Sequence, residues 1–263
     1  LHWCEKHRVY AVLDIQEAPG GQNDYNGVCL LYDDPELQEL TVRLWTEIAS
    51  RFGDHSAVAA YSLLAEPFGA PDADTRDAMY DKLYKAIRAL GDNHLLIIHD
   101  GFLGMQTMPL PAKYGWENVV YSTHIFEFSA ASYEDYDFLV NYLHDTLFTE
   151  AQAKQEVPYY IGSFSTRFDI DWAYDAAQLL VDWYTERNWS WSVWTYKRID
   201  DPIAFELLGK TSSYGVRTRH TGPFDRPDVF DDDLPTLRRK MAAYRDLVMD
   251  PNPRLLEILT SVF

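Results

Sequence analysis

Basic residues, cysteines and long hydrophobic runs are all scarce in this 263-residue chain. Its 23 Lys and Arg residues face 41 Asp and Glu residues, so the formal net charge is −18. Nucleic acids and anionic membranes are unfavourable partners for such a chain, because both carry negative charge themselves. No apolar run approaches the roughly 18 residues that a membrane-spanning helix needs. We therefore expect neither a nucleic acid nor a membrane among the partners.

The chain also lacks the residue patterns that bind common cofactors. Its two cysteines, Cys4 and Cys29, are too few for a disulfide framework, and neither belongs to a CxxC zinc motif. The loop Pro19–Gln22 has neither the GxGxxG spacing nor the GK[ST] ending of a phosphate-binding loop. His99 and Asp100 are adjacent, but such a pair is more typical of hydrogen-bonded structure than of a metal site. The sequence predicts no metal and no other cofactor.

Material for a packed core is abundant, since 47% of the residues are hydrophobic and 15% are aromatic. Apolar, strand-like runs alternate along the chain with helical patterns. Strands are predicted at Arg8–Asp14, Val58–Leu64, His94–His99, Val119–Thr123, Tyr159–Gly162 and Ser190–Thr195. Helices are predicted from Pro35 onward and at Thr75–Leu90, Glu134–Ala151 and Trp172–Arg187. This alternation is typical of a parallel sheet in an α/β fold.

The predicted strands are fewer than the eight of a closed (β/α)8 TIM barrel. An open six-stranded sheet is one alternative. The pattern at both ends favours a TIM barrel, with about the first two βα units missing from this chain and located before Leu1. A less regular stretch follows Arg198, with a strand predicted at 213–217 and helices at 234–248 and 253–261. No repeat or linker interrupts the sequence, so residues 1–263 are predicted to form a single, partial TIM-barrel domain.

Candidate functional residues follow from the strand prediction, because a parallel α/β barrel places its active site at the C-terminal ends of the strands. Carboxylates, imidazoles and aromatic rings occur at these ends: Glu17, Glu66, His99, Asp100, His124, Glu127, Trp194 and Tyr196. Two carboxylates that flank a bond, with aromatic rings stacked on sugar faces, are typical of a glycoside site. The sequence therefore favours a protein that acts on carbohydrate.

Five stretches of the sequence resemble glycoside hydrolase family 5, the cellulase and β-1,3-glucanase group. The stretches are DIQEAPGGQN, YSLLAEP, VVYSTHIFEF, YYIGSFS and WSVWTYK, and they occur in the family's order between Leu1 and about Lys197. The resemblance implies a (β/α)8 barrel and a retaining, double-displacement mechanism on β-glycosides. In that mechanism one Glu is the acid/base and a second Glu is the nucleophile. The family's first two strands would lie upstream of Leu1.

The catalytic positions depart from the family pattern. The family's Asn-Glu-Pro motif is Ala65-Glu66-Pro67 here, so the resemblance assigns the acid/base role to Glu66 but removes its asparagine neighbour. The family's Gly-Glu-Phe motif, which carries the nucleophile, is Gly162-Ser163-Phe164 here. A serine is not ionised at neutral pH without an adjacent base, whereas a carboxylate is. Loss of the nucleophile is therefore expected to impair retaining hydrolysis severely.

The resemblance also implies a set of substrate-binding residues. The family's Leu-His-Gly sequence is Ile15-Gln16-Glu17 in this chain, and its site tyrosine is Phe126. The histidine and the tryptophan of the family site are retained as His124 and Trp194. The predicted substrate-binding residues are Gln16, Glu17, Ala65, His124, Phe126 and Trp194.

We therefore predict a family 5-like protein that binds or acts on β-glucan-type oligosaccharides or polysaccharides, with impaired retaining hydrolysis. One alternative is an active, inverting glycosidase in which Glu66 is the acid and Glu17, Asp169 or another acidic residue activates water. A second alternative is a pseudoenzyme with a structural or interaction role. Whether the protein is an enzyme stays open at this point, as does the choice between a secreted and a cytoplasmic location.

Overall fold

The structure is a computed structural model that describes residues 1–25, 27–127, 130–166, 170, 172–197, 215–219, 225–246 and 249–262. These residues group into two compact units. Unit 1 comprises Leu1–Ile125, Phe138–Ser163 and Glu186–Ser192, and unit 2 comprises Phe126–Asp137, Phe164–Thr185 and Val193–Phe263. The prediction of a single domain stays a prediction.

Six strands form one sheet within the part of the chain that is described, in the order β1-β2-β3-β4-β5-β6. They are β1 (Ala11–Asp14), β2 (Val58–Ser62), β3 (Leu95–His99), β4 (Val119–Ile125), β5 (Tyr159–Phe164) and β6 (Ser190–Val193). The registers between β1 and β2, β2 and β3, and β3 and β4 are parallel. The predicted parallel sheet is therefore confirmed, and its strands lie in chain order with β1 and β6 at the edges.

The helices of the described residues follow the predicted alternation. They are α1 (His2–His7), α2 (Pro35–Phe52), α3 (Ala73–Ala89), α4 (Tyr133–Phe138), α5 (Asp145–Gln155), α6 (Ala173–Glu186), α7 (Leu234–Asp246) and α8 (Pro253–Thr260). The single helix predicted at Glu134–Ala151 is divided, because a π-helix at Leu139–His144 separates α4 from α5. None of these helices is long and apolar enough to cross a membrane.

Local sequence explains where α2 and α3 begin. The Asp34 side chain accepts a hydrogen bond from the Glu36 backbone N–H at 2.8 Å, and Pro35 occupies the first turn of α2. The Asp72 side chain accepts from the Thr75 backbone N–H at 2.8 Å at the start of α3. Such caps satisfy backbone donors that the first helical turn leaves without partners.

Buried aromatic residues of α2 and α3 hold the ends of the strands. Trp45 Nε1 donates to the Leu63 carbonyl at 2.9 Å, just beyond β2. The Tyr80 hydroxyl accepts from the His99 backbone N–H at 3.0 Å and donates to the Leu64 carbonyl at 3.3 Å. Tyr80 therefore joins the C-terminal ends of β2 and β3, and both of these ends lead into the candidate site.

Arg76 of α3 fixes the loop that follows β3. Its side chain is fully buried and donates to Asp77 Oδ1 at 2.7 Å, to the Asp100 carbonyl at 2.6 Å and to Thr107 Oγ1 at 3.0 Å. The loop after β3 is thereby anchored to a charged group that has no access to water.

One side of the sheet, which we name the Ile97 face, carries a small apolar cluster of Ala60, Ile97 and Val120. Leu95 and Tyr160 pack against this cluster. Residues of the same face follow at intervals of two along each strand, because side chains alternate across a strand. His99, Ser122 and His124 therefore share this face, so its polar residues lie at the C-terminal ends of the strands.

The C-terminal part of the chain forms a second, two-stranded sheet. Its antiparallel strands are β7 (Arg217–Arg219) and β8 (Asp250–Pro251). The strand predicted at 213–217 lies partly outside the described residues, and the observed strand begins at Arg217. The helices predicted at 234–248 and 253–261 correspond to α7 and α8.

Candidate active site

The chain turns sharply where β2 ends, and side chains from the loop after β1 hold this turn. Glu66 has a left-handed backbone conformation, with φ of 47°. The Asn23 side-chain amide donates to the Glu66 carbonyl at 3.1 Å. The fully buried Gln22 side chain donates to the Ala65 carbonyl at 2.7 Å and to the Gln16 carbonyl at 2.9 Å. The backbone that carries Glu66 is therefore fixed from a neighbouring strand end.

The Glu66 carboxylate contacts His124, a second residue that the sequence analysis assigned to the site. Glu66 Oε1 lies 2.5 Å from His124 Nδ1, and the two side chains are only 12% and 15% exposed. The Tyr25 hydroxyl donates a second hydrogen bond to Glu66. Two partners from different parts of the chain thus hold one largely buried carboxylate.

The electrostatics of Glu66 differ from those of a general acid. Burial raises the pKa of Glu66, but hydrogen bonds from His124 and Tyr25 and the charge of His124 outweigh this, and the pKa is lower than its ordinary value of 4.5. A glycosidase acid normally has a raised pKa, which keeps its proton available. Glu66 is instead ionised at neutral pH, so its surroundings suit a proton acceptor.

This pKa has a consequence for stability that can be measured. Because the pKa is lowered on folding, ionised Glu66 contributes stability above about pH 4.5, and that contribution is lost as the pH falls through the folded-state pKa. We expect the difference in Tm between the wild type and Glu66→Gln to shrink as the pH falls below 4.5 in a pH series of thermal melts. The exposed Glu39→Gln variant is the control and should show no such trend. A difference that grows on acidification would contradict this prediction.

His99 lies beside His124 and is held in one tautomer. Its Nδ1 accepts a hydrogen bond from the Gly101 backbone N–H at 2.9 Å, so the ring proton is on Nε2. The two imidazole rings meet edge to face, with centroids 4.4 Å apart. Burial and the charges of His124 and Arg76 hold the pKa of His99 well below its ordinary value. His99 is therefore a neutral neighbour of the Glu66–His124 pair, which agrees with the structural interpretation of the His99-Asp100 sequence.

Gly162 of β5 allows the His124 ring to lie against the strand backbone. A Cβ atom on Gly162 would lie 2.8 Å from Ser122 Oγ and 2.9 Å from His124 Nε2, which is too close for a real side chain. Ser163 follows directly and is half-buried. Ser163, the predicted nucleophile position, is thus the next residue of β5 after Gly162 and carries a hydroxyl where the resemblance implies a carboxylate.

The remaining predicted residues of unit 1 differ in exposure. Ala65 is buried and has no polar group on its side chain. Gln16 and Glu17 are exposed in the loop after β1. Asp169, which was a candidate for activating water, lies outside the described residues.

Unit 2 contains the two aromatic residues predicted to bind substrate. Phe126 and Trp194 meet edge to face, with ring centroids 6.2 Å apart and an interplanar angle of 83°. Trp194 is 41% exposed, and its backbone N–H donates to the Phe164 carbonyl at 2.9 Å. An exposed indole on a fixed backbone is suited to stack on the apolar face of a sugar ring.

Two further residues belong to the candidate site of unit 1 and were not singled out from the sequence. Tyr25 lies in the loop after β1, and its only sequence signal is an aromatic residue in a polar segment. Asp14 is the last residue of β1, and its carboxyl interacts electrostatically with both Glu66 and His124. Asp14 is at the C-terminal end of a predicted strand, where a parallel barrel places its active site, but the sequence analysis singled out Glu17 in the loop that follows.

Within the described residues, no group of three or more His, Cys, Asp or Glu side chains is arranged to hold a metal ion.

Comparison with protein families gives a match over most of the chain. Residues 1–199 match the model of the cellulase family, glycosyl hydrolase family 5. Glucan 1,3-beta-glucosidase 2 of Saccharomyces cerevisiae is 32% identical over 167 residues, which are 58% of this chain and 29% of that protein. A beta-xylosidase of Phanerodontia chrysosporium is 33% identical over 138 residues, or 49% of this chain and 29% of that protein.

The matched part is short relative to these proteins. Endoglucanase C of Acetivibrio thermocellus is 31% identical over 98 residues, which are 37% of this chain and 28% of that enzyme. The chain thus spans less than a third of the length of each of these three relatives.

Solved structures share the fold. Thermotoga maritima Cel5A in complex with cellobiose superimposes with a TM-score of 0.66 at 20% identity, covering 98% of this chain and 75% of that one. Endo-glycoceramidase II from Rhodococcus sp., as its lactosyl-enzyme intermediate, gives a TM-score of 0.55 at 21% identity. The match covers 69% of this chain and 42% of that one.

Proposed function

Since the chain belongs to glycosyl hydrolase family 5, we propose that it binds β-glucan-type oligosaccharides at the strand ends that carry Glu66 and His124. We further propose that retaining hydrolysis is impaired, because Ser163 occupies the nucleophile position. The observation that carries the proposal is the Glu66–His124 contact of 2.5 Å at the C-terminal ends of β2 and β4. A barrel of parallel strands uses these ends for ligand binding and catalysis.

The substrate class is proposed from the relatives and from the aromatic residues. Relatives include a glucan 1,3-beta-glucosidase and an endoglucanase, and a structural neighbour was solved with cellobiose. The exposed Trp194, in contact with Phe126, supplies a surface for a sugar ring. Both points support a β-linked glucan over a charged or proteinaceous ligand.

The impairment is proposed from two substitutions. Ser163 offers a hydroxyl that needs a base to become nucleophilic, while Ala65 offers no hydrogen bond to the substrate. In the family pattern an asparagine at the Ala65 position binds the sugar 2-hydroxyl, a contact that strengthens in the transition state and is worth several kcal/mol. Both losses act on the chemical step more than on substrate binding.

We also propose that the six-stranded sheet is part of an eight-stranded (β/α)8 barrel that forms one domain. The support is the parallel order of the strands and the likeness to Thermotoga maritima Cel5A, 75% of which the chain covers.

The proposal is tested by a binding and hydrolysis screen with β-1,3-, β-1,4- and mixed-linkage gluco-oligosaccharides. We expect binding by calorimetry to at least one linkage class. Trp194→Ala should weaken it up to about tenfold, since aromatic stacking contributes about 0.5–1.5 kcal/mol and tenfold in Kd corresponds to about 1.4 kcal/mol. Trp3→Ala is the matched control, because Trp3 is an exposed tryptophan on α1 and stacks on His7.

Three results would separate the proposed function from its alternatives. Absence of binding to every glucan would favour a structural or interaction role. Equal losses for Trp194→Ala and Trp3→Ala would show that the Trp194 surface is not the binding surface. Rapid hydrolysis with retention by the unmodified protein would contradict the impaired mechanism.

A further inference from the structure

We propose that three aromatic side chains beside Glu66, which we name the Tyr25 wall, bind an apolar aglycone of a β-glucoside. The wall consists of Tyr25, Phe68 and Phe102, which come from the loops after β1, β2 and β3. The inference deepens the proposed function and rests on it, since it requires a β-glucoside whose glycosidic oxygen lies at Glu66. It names the chemical class of the leaving group as aryl or alkyl rather than a further sugar.

The rings of the Tyr25 wall contact one another and remain accessible to a ligand. The Tyr25 and Phe68 ring centroids lie 4.9 Å apart, and those of Phe68 and Phe102 lie 6.1 Å apart. Tyr25 is 65% exposed and Phe102 is 47% exposed. Single exposed apolar side chains are ordinary, whereas a contiguous exposed apolar patch is typical of a binding site. The three rings form such a patch.

Two routes of contact join the wall to Glu66. Along the backbone, the Phe68 N–H donates to the Glu66 carbonyl at 2.8 Å, so the two residues flank one tight turn. Through side chains, Phe102 meets the His99 ring edge to face, with centroids 5.4 Å apart. His99 meets in turn the His124 ring, which the Glu66 carboxylate contacts. The contacts thus form a closed circuit, with the carboxylate on one side and the aromatic rings on the other.

The backbone under the wall is fixed, which keeps the rings in place before a ligand binds. Gly101 has φ of 66°, and a Cβ atom there would lie 2.9 Å from the Pro67 carbonyl oxygen. The loop that carries Phe102 therefore packs directly on the turn after β2. In the same loop the Asp100 carbonyl accepts a hydrogen bond from the buried Arg76 at 2.6 Å. A surface formed in advance loses less entropy when a ligand binds to it.

The position of the wall relative to Glu66 assigns it to the leaving-group side of the substrate. The resemblance gives Glu66 the acid/base role, and an acid/base carboxyl exchanges its proton with the glycosidic oxygen, which carries the aglycone. In the order of the strands, the nucleophile position Ser163 is on β5, whereas the wall comes from the loops after β1, β2 and β3. The reacting sugar binds between the acid/base and nucleophile positions, so the wall faces the aglycone.

The angles between the rings favour an apolar group over a sugar. A sugar ring stacks on one flat, exposed aromatic face and needs hydrogen-bond partners for its hydroxyl groups. The Tyr25 and Phe68 ring planes are 75° apart and the Phe68 and Phe102 planes 38° apart, so the wall is bent. Phe68 and Phe102 carry no hydrogen-bonding group on their side chains. A bent apolar surface fits an aryl or alkyl group, whose removal from water is favourable in proportion to the apolar area buried.

The test compares three β-glycosides of one gluco-oligosaccharide by calorimetry, using the whole protein. The oligosaccharide is one that binds in the linkage screen, and its reducing end carries a methyl group, a naphthyl group or one further glucose. We expect the naphthyl glycoside to bind about tenfold or more tighter than the methyl glycoside, and the added glucose to give less than about threefold. Phe102→Ala and Tyr25→Ala should each reduce the advantage of the naphthyl glycoside to less than about threefold.

Phe138→Ala is the matched control, because Phe138 is a phenylalanine of unit 1 with a similar exposure of 53% that lies outside the wall. It should leave the advantage of the naphthyl glycoside unchanged. Circular dichroism of each variant identifies a loss that is due to unfolding. If Phe102→Ala were unfolded, Tyr25→Ala would carry the comparison, because Tyr25 is the more exposed of the two side chains.

The results that contradict the inference differ from the one that contradicts the proposed function. Equal affinities for the naphthyl and methyl glycosides would overturn the inference and leave glucan binding intact. A gain from the added glucose as large as that from the naphthyl group would overturn it too, because the wall would then be a sugar subsite. A naphthyl advantage that survives both Phe102→Ala and Tyr25→Ala would place the apolar subsite elsewhere and overturn it as well. Absence of binding by every gluco-oligosaccharide would overturn the proposed function itself.

Discussion

The double variant Ser163→Glu/Ala65→Asn is expected to hydrolyse aryl β-glucosides about 10³-fold faster than the unmodified protein, and with retention. Ser163→Glu supplies the carboxylate that can form a covalent intermediate. Ala65→Asn supplies the amide that binds the sugar 2-hydroxyl, a contact worth several kcal/mol in the transition state. Either change alone should give a smaller gain, and adding Gln16→His should increase the activity further. The measurements are kcat/KM and the anomer formed first.

The matched control is Ser163→Ala/Ala65→Asn, which restores the amide but no carboxylate. It should show neither hydrolysis with retention nor the gain in kcat/KM. If the glutamate variant were as slow as this control, Ser163 would not occupy the nucleophile position. If it were fast but inverting, the inverting alternative would be favoured over the retaining mechanism.

The largest effect on stability is expected at Arg76. Arg76→Met removes the partner of Asp77, whose carboxyl is itself almost fully buried, and it leaves the Asp100 carbonyl without its donor. Removing one member of a buried ion pair typically costs about 3–5 kcal/mol, because the other charge stays buried without compensation. We expect a loss of that size in the free energy of unfolding by urea denaturation.

An exposed ion pair gives the control for Arg76. Arg51 and Glu47 on α2 are 2.5 Å apart and more than half exposed, so Arg51→Met should cost less than about 1 kcal/mol. The double variant Arg76→Met/Asp77→Leu should regain part of the loss, since it buries no unpaired charge. A cost for Arg76→Met as small as that for Arg51→Met would show that the buried pair is not stabilising the loop after β3.

The order of the strands could be predicted from the sequence, but some element boundaries could not. Alternating apolar runs and helical patterns are local signals, and each of the six predicted strands corresponds to a strand of the sheet. The predicted strand Val58–Leu64 was two residues too long, because Leu63 and Leu64 are buried beyond the last sheet residue. The π-helix at Leu139–His144 was missed, since a pattern based on 3.6 residues per turn does not detect it.

Some residues of the candidate site could be predicted from nearby sequence, whereas others depend on partners that are distant in the chain. Glu66 and His124 were predicted from motifs that are read within a few residues, and the structure brings them into contact. Tyr25 and Asp14 were not singled out, because their interactions with Glu66 join positions about 40 to 50 residues apart. The preference of Glu66 for the ionised form depends on these distant partners. A motif indicates which residue is in a site, whereas the protonation state of that residue depends on its surroundings in the folded protein.

The left-handed backbone at Glu66 has a consequence for protein engineering. A residue with a Cβ atom in this conformation costs on the order of 1 kcal/mol relative to glycine, which adopts it freely. Directed evolution for heat resistance at acidic pH, where the carboxylate no longer contributes stability, would therefore favour replacing Glu66, and the carboxylate would be lost. A screen for robust variants of this protein should select for ligand binding in every round, so that thermal tolerance is gained at other positions.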